Sequence, residues 1–227
     1  MPLPAIAPYP MPTPAALPEN RVDWTVDPGR AVLLVHDLQN YFLRAFPQDA
    51  VPLTELLGNV GRLTKLCRAV GLPVVYTAQP GGQTPEQRGL QQDFWGDGVP
   101  DDRDAEGIAA SVAPQHGDTL LTKWKYSAFA RTDLAEQMYA LGRDQLIVVG
   151  VYAHIGVQMT ACDAWMRDIR PFVVADAVAD FSEADHLQAL HWAARTCALV
   201  TTTDALAQGI DEALGLPGNE NAAGVAP

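Results

Sequence analysis

The sequence is poor in positive charge. Only 15 lysine and arginine residues oppose 27 aspartate and glutamate residues over 227 residues, which leaves a formal charge of −12. A surface of that sign repels the phosphates of nucleic acids and of anionic membranes. No apolar run approaches the roughly 18 residues that a membrane span needs, and no cationic segment precedes an apolar core near residue 1. These absences favour a small-molecule ligand and predict a cytoplasmic protein that binds neither nucleic acid nor membrane.

Cysteine is also scarce. Cys67, Cys162 and Cys197 are too few and too scattered for a disulfide framework or a zinc cluster. Two histidines, His36 and His154, lack the H-x-x-H spacing or the neighbouring cysteines that zinc or iron would need. We therefore expect no metal and no cofactor, and structural roles for both histidines.

The composition predicts one globular domain with two different ends. Residues 1–20 carry so many prolines that neither a helix nor a central strand is expected, and this arm should run extended over a surface. Residues 21–213 form the domain, because 48% of the chain is hydrophobic and 19% is charged, as in ordinary globular proteins. Residues 214–227 lack periodicity and large apolar side chains and are predicted to be a disordered tail.

Short apolar runs alternate with helical patterns along the domain. The runs predict six buried parallel strands at 31–36, 73–77, 119–122, 146–151, 172–177 and 198–202. Helical stripes occupy 53–70, 131–141, 156–168 and 184–195. Alternation of this kind is typical of an α/β fold, a doubly wound six-stranded parallel sheet with helices on both faces.

Polar side chains follow the predicted strands, where ligands of such sheets bind. They are His36, Asp37, Gln79, Lys123, Tyr152, His154 and Asp176. Any one of them could cap a helix or face solvent. A buried aspartate beside a lysine from another strand is a coupled pair that moves protons or holds an anion.

Three motifs resemble those of the isochorismatase-like hydrolases. AVLLVHDLQNYF contains the family's acidic residue as Asp37, LLTKWKYSAF its lysine as Lys123, and GVYAHIGV its nucleophile turn. In the cysteine hydrolases of that superfamily the turn carries a catalytic cysteine, whereas this sequence has Gly156. Cys162 lies six residues later and cannot replace it. The stretches YTAQPGGQTPEQRGLQQDFWG and VADAVADFSEADH are similar to the stand-alone, phenazine-type branch of the family.

The resemblance implies an ether hydrolase that removes pyruvate from 2-amino-2-deoxyisochorismate or isochorismate, without a nucleophile or a cofactor. Asp37 is then the acid that protonates the vinyl-ether methylene, and Lys123 and Gly156 complete the catalytic set. Gly156 is expected to leave room for the substrate at a helix N-terminus. Arg88 is expected to fork onto a substrate carboxylate. The remaining expected contacts are Gln79, Trp95 through its indole N–H, Tyr152, Phe42, Tyr126 and, as a further pocket wall, Phe129.

Two alternatives stay open at this point. One is an atypical amidohydrolase of the same superfamily, which the glycine at position 156 disfavours. The other is a catalytically inactive binding protein, against which the intact Asp37, Lys123 and Arg88 count. A homodimer is implied by the resemblance alone. The sequence leaves undecided whether the substrate carries an amine or a hydroxyl at its second ring carbon.

Overall fold

The computed structural model describes residues 3–216. Its strands are β1 (Ala31–His36), β2 (Val74–Ala78), β3 (Thr119–Thr122), β4 (Gln145–Val151), β5 (Arg170–Ala179) and β6 (Leu199–Thr201). Its α-helices are α1 (Asn40–Leu43), α2 (Leu53–Ala69), α3 (Pro85–Arg88), α4 (Gln91–Trp95), α5 (Arg103–Glu106), α6 (Leu134–Ala140), α7 (Gln158–Met166), α8 (Glu183–Thr196) and α9 (Thr203–Ala213). The predicted tail 214–227 falls mostly outside the described residues.

The six strands form one sheet in the order β3-β2-β1-β4-β5-β6, and every paired neighbour is parallel. The chain first adds strands on one side of β1 and then crosses to β4 on its other side. The predicted doubly wound α/β sheet is therefore confirmed. The point of reversal lies between β1 and β4, and in such sheets a crevice for ligands opens there beyond the strand ends.

The alternation of side chains along the strands places an apolar layer on each face. In β1, Leu33 and Val35 belong to the hydrophobic cluster that includes α2 and α9, whereas Val32 and Leu34 belong to the cluster that includes α6, α7 and α8. All six residues of β1 are buried, as expected for a parallel strand covered on both faces.

Helix starts follow capping chemistry that is readable in the sequence. Ser182 accepts a hydrogen bond from the backbone N–H of Asp185 at the start of α8, and Thr202 accepts one from Ala205 at the start of α9. The predicted helix at 156–168 starts later, at residue 158, because a π-helical turn over Ala153–Val157 comes before it.

Two expectations about the chain's path are corrected. Asp176 does not follow β5, which continues to Ala179; its carboxylate accepts hydrogen bonds from the backbone N–H and the hydroxyl of Thr203 and so holds the start of α9. The arm includes one 3₁₀ turn, Pro14–Ala16, and its earlier part does more than cover a surface. Ile6, Tyr9 and Met11 are buried in the hydrophobic core.

Within residues 3–216, no helix is both long enough and apolar enough to cross a bilayer.

The close contact between β1 and β4 generates a stability prediction. Gly150 has a φ of +114°, and a Cβ there would lie 2.1 Å from the backbone oxygen of His36. We expect Gly150→Ala to lower the free energy of unfolding by about 3 kcal/mol or more. Gly58→Ala is the matched control, because Gly58 lies inside α2 with no atom within 4 Å of the added Cβ. That change should stabilise by about 0.5–1 kcal/mol. Urea unfolding of both variants measures the difference, and equal effects would contradict the expectation.

Candidate active site

A pocket of about 520 Å³ opens at the carboxyl ends of the first four strands. Its walls bring together nine residues that the sequence singled out: Asp37, Phe42, Gln79, Arg88, Trp95, Lys123, Tyr126, Tyr152 and Gly156. They come from five separate stretches of the chain.

Asp37 is the most heavily bonded group in this pocket. Its Oδ2 lies 2.8 Å from the Lys123 ammonium and accepts a hydrogen bond from Gln79 Nε2 at 3.2 Å. Its Oδ1 accepts a hydrogen bond of 2.6 Å from the Thr77 hydroxyl. The residue adopts a left-handed backbone with φ of 50°, which aspartate tolerates better than most residues. The expected pairing of Asp37 with Lys123 is thus present in the structure.

The charge state of Asp37 follows from two opposed effects. Burial raises the pKa of the carboxyl, but the Lys123 ammonium and the hydrogen bonds outweigh burial and hold the pKa below its usual value. Without a ligand, Asp37 is therefore an anion at neutral pH. A reaction that uses it as an acid must first raise its pKa.

Lys123 is 1% exposed and needs more than one partner. Besides the Asp37 carboxylate, its ammonium donates a hydrogen bond to the backbone oxygen of Lys125 at 2.7 Å. A buried ion pair is favourable only when such additional bonds compensate for lost hydration. The loop after β3 provides that compensation.

Gln39 is a structural member of the site that the sequence analysis missed. It is completely buried, and its side-chain amide donates to the backbone oxygen of Gln79 at 2.8 Å and accepts from the Gln79 backbone N–H at 2.7 Å. This reciprocal pair fixes the chain after β2, where Gln79 meets Asp37. The sequence feature that could have indicated Gln39 is its position two residues after Asp37, at the end of β1. Thr77, inside β2, was also missed, because it looks like an ordinary strand residue.

The expectation that Gly156 leaves room for substrate needs correction. A Cβ at this position would lie 2.2 Å from Cε1 of His36, so the space that glycine leaves is filled by the His36 ring. That ring is completely buried and lies 2.9 Å from the Val151 oxygen through Nδ1 and 3.3 Å from the Tyr126 oxygen through Nε2. Burial lowers the pKa of His36 and keeps it neutral. Gly156 still lines the pocket with its backbone.

The helix N-terminus near Gly156 already carries a protein carboxylate. Asp180 accepts hydrogen bonds from the backbone N–H of His154 and from its ring Nδ1, both at 2.6 Å. His154 itself is not a pocket wall; its hydrogen bond to Asp180 outweighs burial and raises its pKa. A substrate carboxylate at this end of the helix would therefore compete with the Asp180 carboxylate.

Arg88 is an almost completely buried cation, with 2% of its surface exposed. Its Nε donates to the backbone oxygen of Gly96 at 3.0 Å, and none of the carboxylates in residues 3–216 forms an ion pair with it. Burial lowers its pKa, but an arginine remains charged at neutral pH. Gly98 leaves space for the Arg88 guanidinium, since a Cβ at position 98 would lie 2.7 Å from that group. A buried cation without a carboxylate partner, in a pocket, is a binding group for an anion.

The aromatic residues are placed as expected but use their polar atoms differently. The Trp95 indole N–H donates to the Tyr126 hydroxyl at 2.7 Å, so it is already satisfied within the protein. The Tyr152 hydroxyl donates to the backbone oxygen of Phe42 at 2.8 Å. These rings therefore present flat apolar walls to the pocket.

Phe129 is the one expected wall that the structure places elsewhere. It belongs to the core cluster on the opposite face of the sheet, where the guanidinium of Arg167 lies 5.1 Å from its ring centre. The residue sits in the loop after β3, but its side chain turns away from the strand ends. Tyr126, three residues earlier, does line the pocket.

Seven further pocket residues were not anticipated: Leu3, Tyr41, Gln91, Gly98, Val151, Ile155 and Phe181. Most lie one to four residues from an expected contact, so closeness in sequence to those contacts could have indicated that they line the pocket. Leu3 is different, because nothing in a proline-rich arm indicates which residue reaches the pocket. In the described chain, none of the pocket-lining residues is a cysteine, serine or threonine.

Comparisons with known proteins agree with this geometry. The model of the isochorismatase domain matches residues 31–205. The chain is 53% identical to an isochorismatase of Bacillus subtilis (strain 168), over 94% of this chain and 68% of that protein. It is 52% identical to the phenazine biosynthesis protein PhzD of Pseudomonas fluorescens, over 89% of this chain and 97% of that protein. A cysteine hydrolase structure from Pseudomonas syringae pv. phaseolicola shares the fold, with a TM-score of 0.76 and 23% identity over 86% of this chain and 98% of that one.

The contact between Gly156 and His36 generates a second prediction. Gly156→Ala should lower the free energy of unfolding by about 1–3 kcal/mol, because the His36 ring is completely buried and lies 2.9 Å from the Val151 oxygen, so it cannot move aside freely. In a His36→Ala background, which opens space at that point, the same change should cost less. Gly61→Ala is the control, since its nearest atom would be 3.9 Å away. Equal costs of Gly156→Ala in the two backgrounds, measured by urea unfolding, would show that the two residues are not coupled.

Proposed function

This chain belongs to the isochorismatase family, and from that premise we propose that it hydrolyses the vinyl ether of 2-amino-2-deoxyisochorismate, in preference to isochorismate, and releases pyruvate. The observation that carries the proposal is the Asp37–Lys123 pair, 2.8 Å apart, in a pocket whose nucleophile position is Gly156. The pocket offers a carboxyl group and cations, but none of the described residues that line it is a cysteine, serine or threonine. Amide hydrolysis by covalent catalysis needs that nucleophile, whereas vinyl-ether hydrolysis needs a proton donor.

The reaction we propose starts at the terminal methylene carbon of the enolpyruvyl group. Asp37 donates its proton to that carbon, which becomes a methyl group, and the neighbouring carbon becomes an oxocarbenium ion. Water adds to this cation and loses one proton, which restores the acid. The resulting hemiketal collapses to pyruvate and a ring alcohol, which for the amino substrate is a trans-dihydro-hydroxyanthranilate. The net reaction consumes one water molecule, and no metal or cofactor takes part.

The substrate itself can supply the proton state that Asp37 lacks in the free protein. The substrate carries two carboxylates. One of them near Lys123 would draw off part of the charge that stabilises ionised Asp37, and would place a like charge near it; both effects raise the pKa of Asp37. The Thr77 hydroxyl, which can accept as well as donate, fits either protonation state. Protonation of the acid is then coupled to binding.

Arg88 and Lys123 make the pocket attractive to a dianion on a protein whose formal charge is −12. The Arg88 guanidinium has no protein carboxylate to neutralise it within residues 3–216, so a substrate carboxylate would complete its environment. The apolar walls, Trp95, Tyr152 and Phe42, fit the ring and exclude bulk water. The preference for the amino substrate rests on the likeness to the phenazine-type branch of the family.

The first test of this function is product release. Purified protein incubated with each substrate in D₂O should release pyruvate that carries deuterium in its methyl group, and kcat/KM should be higher for the amino substrate. Proton transfer to carbon in the slow step should give a normal solvent isotope effect of about 2 or more on kcat. Absence of pyruvate from both substrates would overturn the proposal. Faster turnover of isochorismate would overturn only the preference.

The second test concerns the acid. Asp37→Asn keeps the size of the side chain but has no transferable proton, so kcat should fall by about 10²–10⁴ while the substrate still binds. In the unmodified protein, kcat should decline as pH rises through the pKa of Asp37 in the complex, because only the protonated acid is active. Cys162→Ser, outside the pocket, is the control and should keep full activity. Near-normal kcat in Asp37→Asn would remove Asp37 from the role of acid.

A further inference from the structure

We propose that the proline-rich arm is part of the substrate site, and that Leu3 closes the mouth of the pocket over the bound ligand. Leu3 is half-buried and lines the pocket beside residues from the strand ends, although it lies 34 positions before Asp37 in the chain. The identity of the ligand in this inference rests on the function proposed above. The arm's position at the pocket does not.

Two anchors fix the arm a few residues beyond Leu3. The backbone N–H of Ile6 donates to the oxygen of Ala45 at 2.8 Å, and the Ile6 side chain is buried. The Tyr9 hydroxyl accepts a 2.7 Å hydrogen bond from the backbone N–H of Asp180 and lies 3.3 Å from Nδ1 of His186. These contacts hold the arm against the carboxyl end of β5.

The protonation state of His186 determines which partner donates in its hydrogen bond with Tyr9. His186 is completely buried, and its Nε2 lies 3.0 Å from the oxygen of Ala175, which can only accept. Nε2 therefore carries the ring proton, and Nδ1 is left as an acceptor for the Tyr9 O–H. The Tyr9 hydroxyl thus both donates and accepts within the protein, and the backbone oxygen of Asp180, also 3.3 Å away, is a second acceptor for its O–H.

The arm is stiff enough for these anchors to position Leu3. Residues 2, 4, 8, 10 and 12 are prolines, which favour the extended polyproline conformation without internal hydrogen bonds. At about 3.1 Å per residue, Leu3 lies about 9 Å from Ile6. Preorganisation lowers the entropy that is lost when such a segment takes part in binding. Residues 1–18 also contain no charged side chain, so the arm adds no negative charge at the entrance for a dianion.

The segment that anchors the arm also supplies a pocket wall. The Asp180 carboxylate accepts from the Phe181 backbone N–H at 2.8 Å, and the Phe181 ring lies 4.3 Å from that of Tyr152 and 5.9 Å from that of Trp95. The arm and Phe181 are therefore held by one local network, on one side of the pocket. In this placement, we expect Leu3 to contact the bound ligand and to take no part in proton transfer from Asp37.

Three variants test the arm. Leu3→Ala should raise KM about three- to tenfold, as expected from the loss of part of a leucine contact, with kcat changed less than about twofold. Leu3→Met keeps the apolar volume and should restore most of the affinity. Leu216→Ala removes a half-exposed leucine at the other end of the described chain and should leave KM unchanged. Thermal unfolding of each variant shows whether the fold is intact.

A second readout works without turnover. Hydroxyl-radical footprinting of the free protein should show faster oxidation of Trp95 and Phe181 in Leu3→Ala than in the unmodified chain, and no change in Leu216→Ala. Unchanged oxidation and unchanged KM in Leu3→Ala would overturn the inference. If the unmodified chain releases no pyruvate, the proposed function fails by itself, and the footprinting still decides whether Leu3 covers the pocket.

Discussion

The buried ion pair between Asp37 and Lys123 is the constraint on which the site depends. Two charges at 5% and 1% side-chain exposure are costly to dehydrate, and their attraction alone does not offset that cost. Thr77 and Gln79 donate hydrogen bonds to the Asp37 carboxylate, and the Lys123 ammonium donates one to the backbone oxygen of Lys125 in the loop after β3. Gln39, which touches neither charge, fixes the backbone of one of these partners. These hydrogen bonds at the strand ends therefore all stabilise the Asp37–Lys123 ion pair, directly or through Gln79.

This support also explains why the resting site is in the wrong protonation state for the proposed chemistry. Lys123 and the hydrogen bonds favour ionised Asp37, which protects the acid from being an unpaired buried group when no substrate is present. In the mechanism we propose, a dianionic ligand competes for the same cation and so converts the carboxylate into an acid. Binding and activation are then one event, and a ligand without the carboxylates would not activate Asp37.

The His36–Gly156 contact constrains which chemistry the fold can perform. The ring of His36 fills the space that a nucleophile's Cβ would need, and this ring is completely buried, with Nδ1 2.9 Å from the Val151 oxygen. A cysteine introduced at position 156 would therefore clash with the His36 ring. In the same way, the Arg88 guanidinium has room beside Gly98, where a Cβ would lie 2.7 Å from it. Two glycines thus leave the space that two larger neighbours, the His36 ring and the Arg88 guanidinium, occupy.

The sequence by itself determined the parallel sheet, because continuous apolar runs and helical stripes report burial directly and need no knowledge of distant contacts. It also placed Asp37, Lys123 and Gln79 together, since strand ends of a doubly wound sheet converge on one edge, whereas Arg88, which lies in α3, was expected only as a second cation for a dianionic substrate. Tertiary structure alone decided what fills the space at Gly156, that Asp176 holds a helix, that Phe129 faces the other layer and that Leu3 reaches the pocket. Each of these depends on how far a strand continues or on which residue packs opposite, and those are contacts between segments far apart in the chain, which a local pattern does not encode.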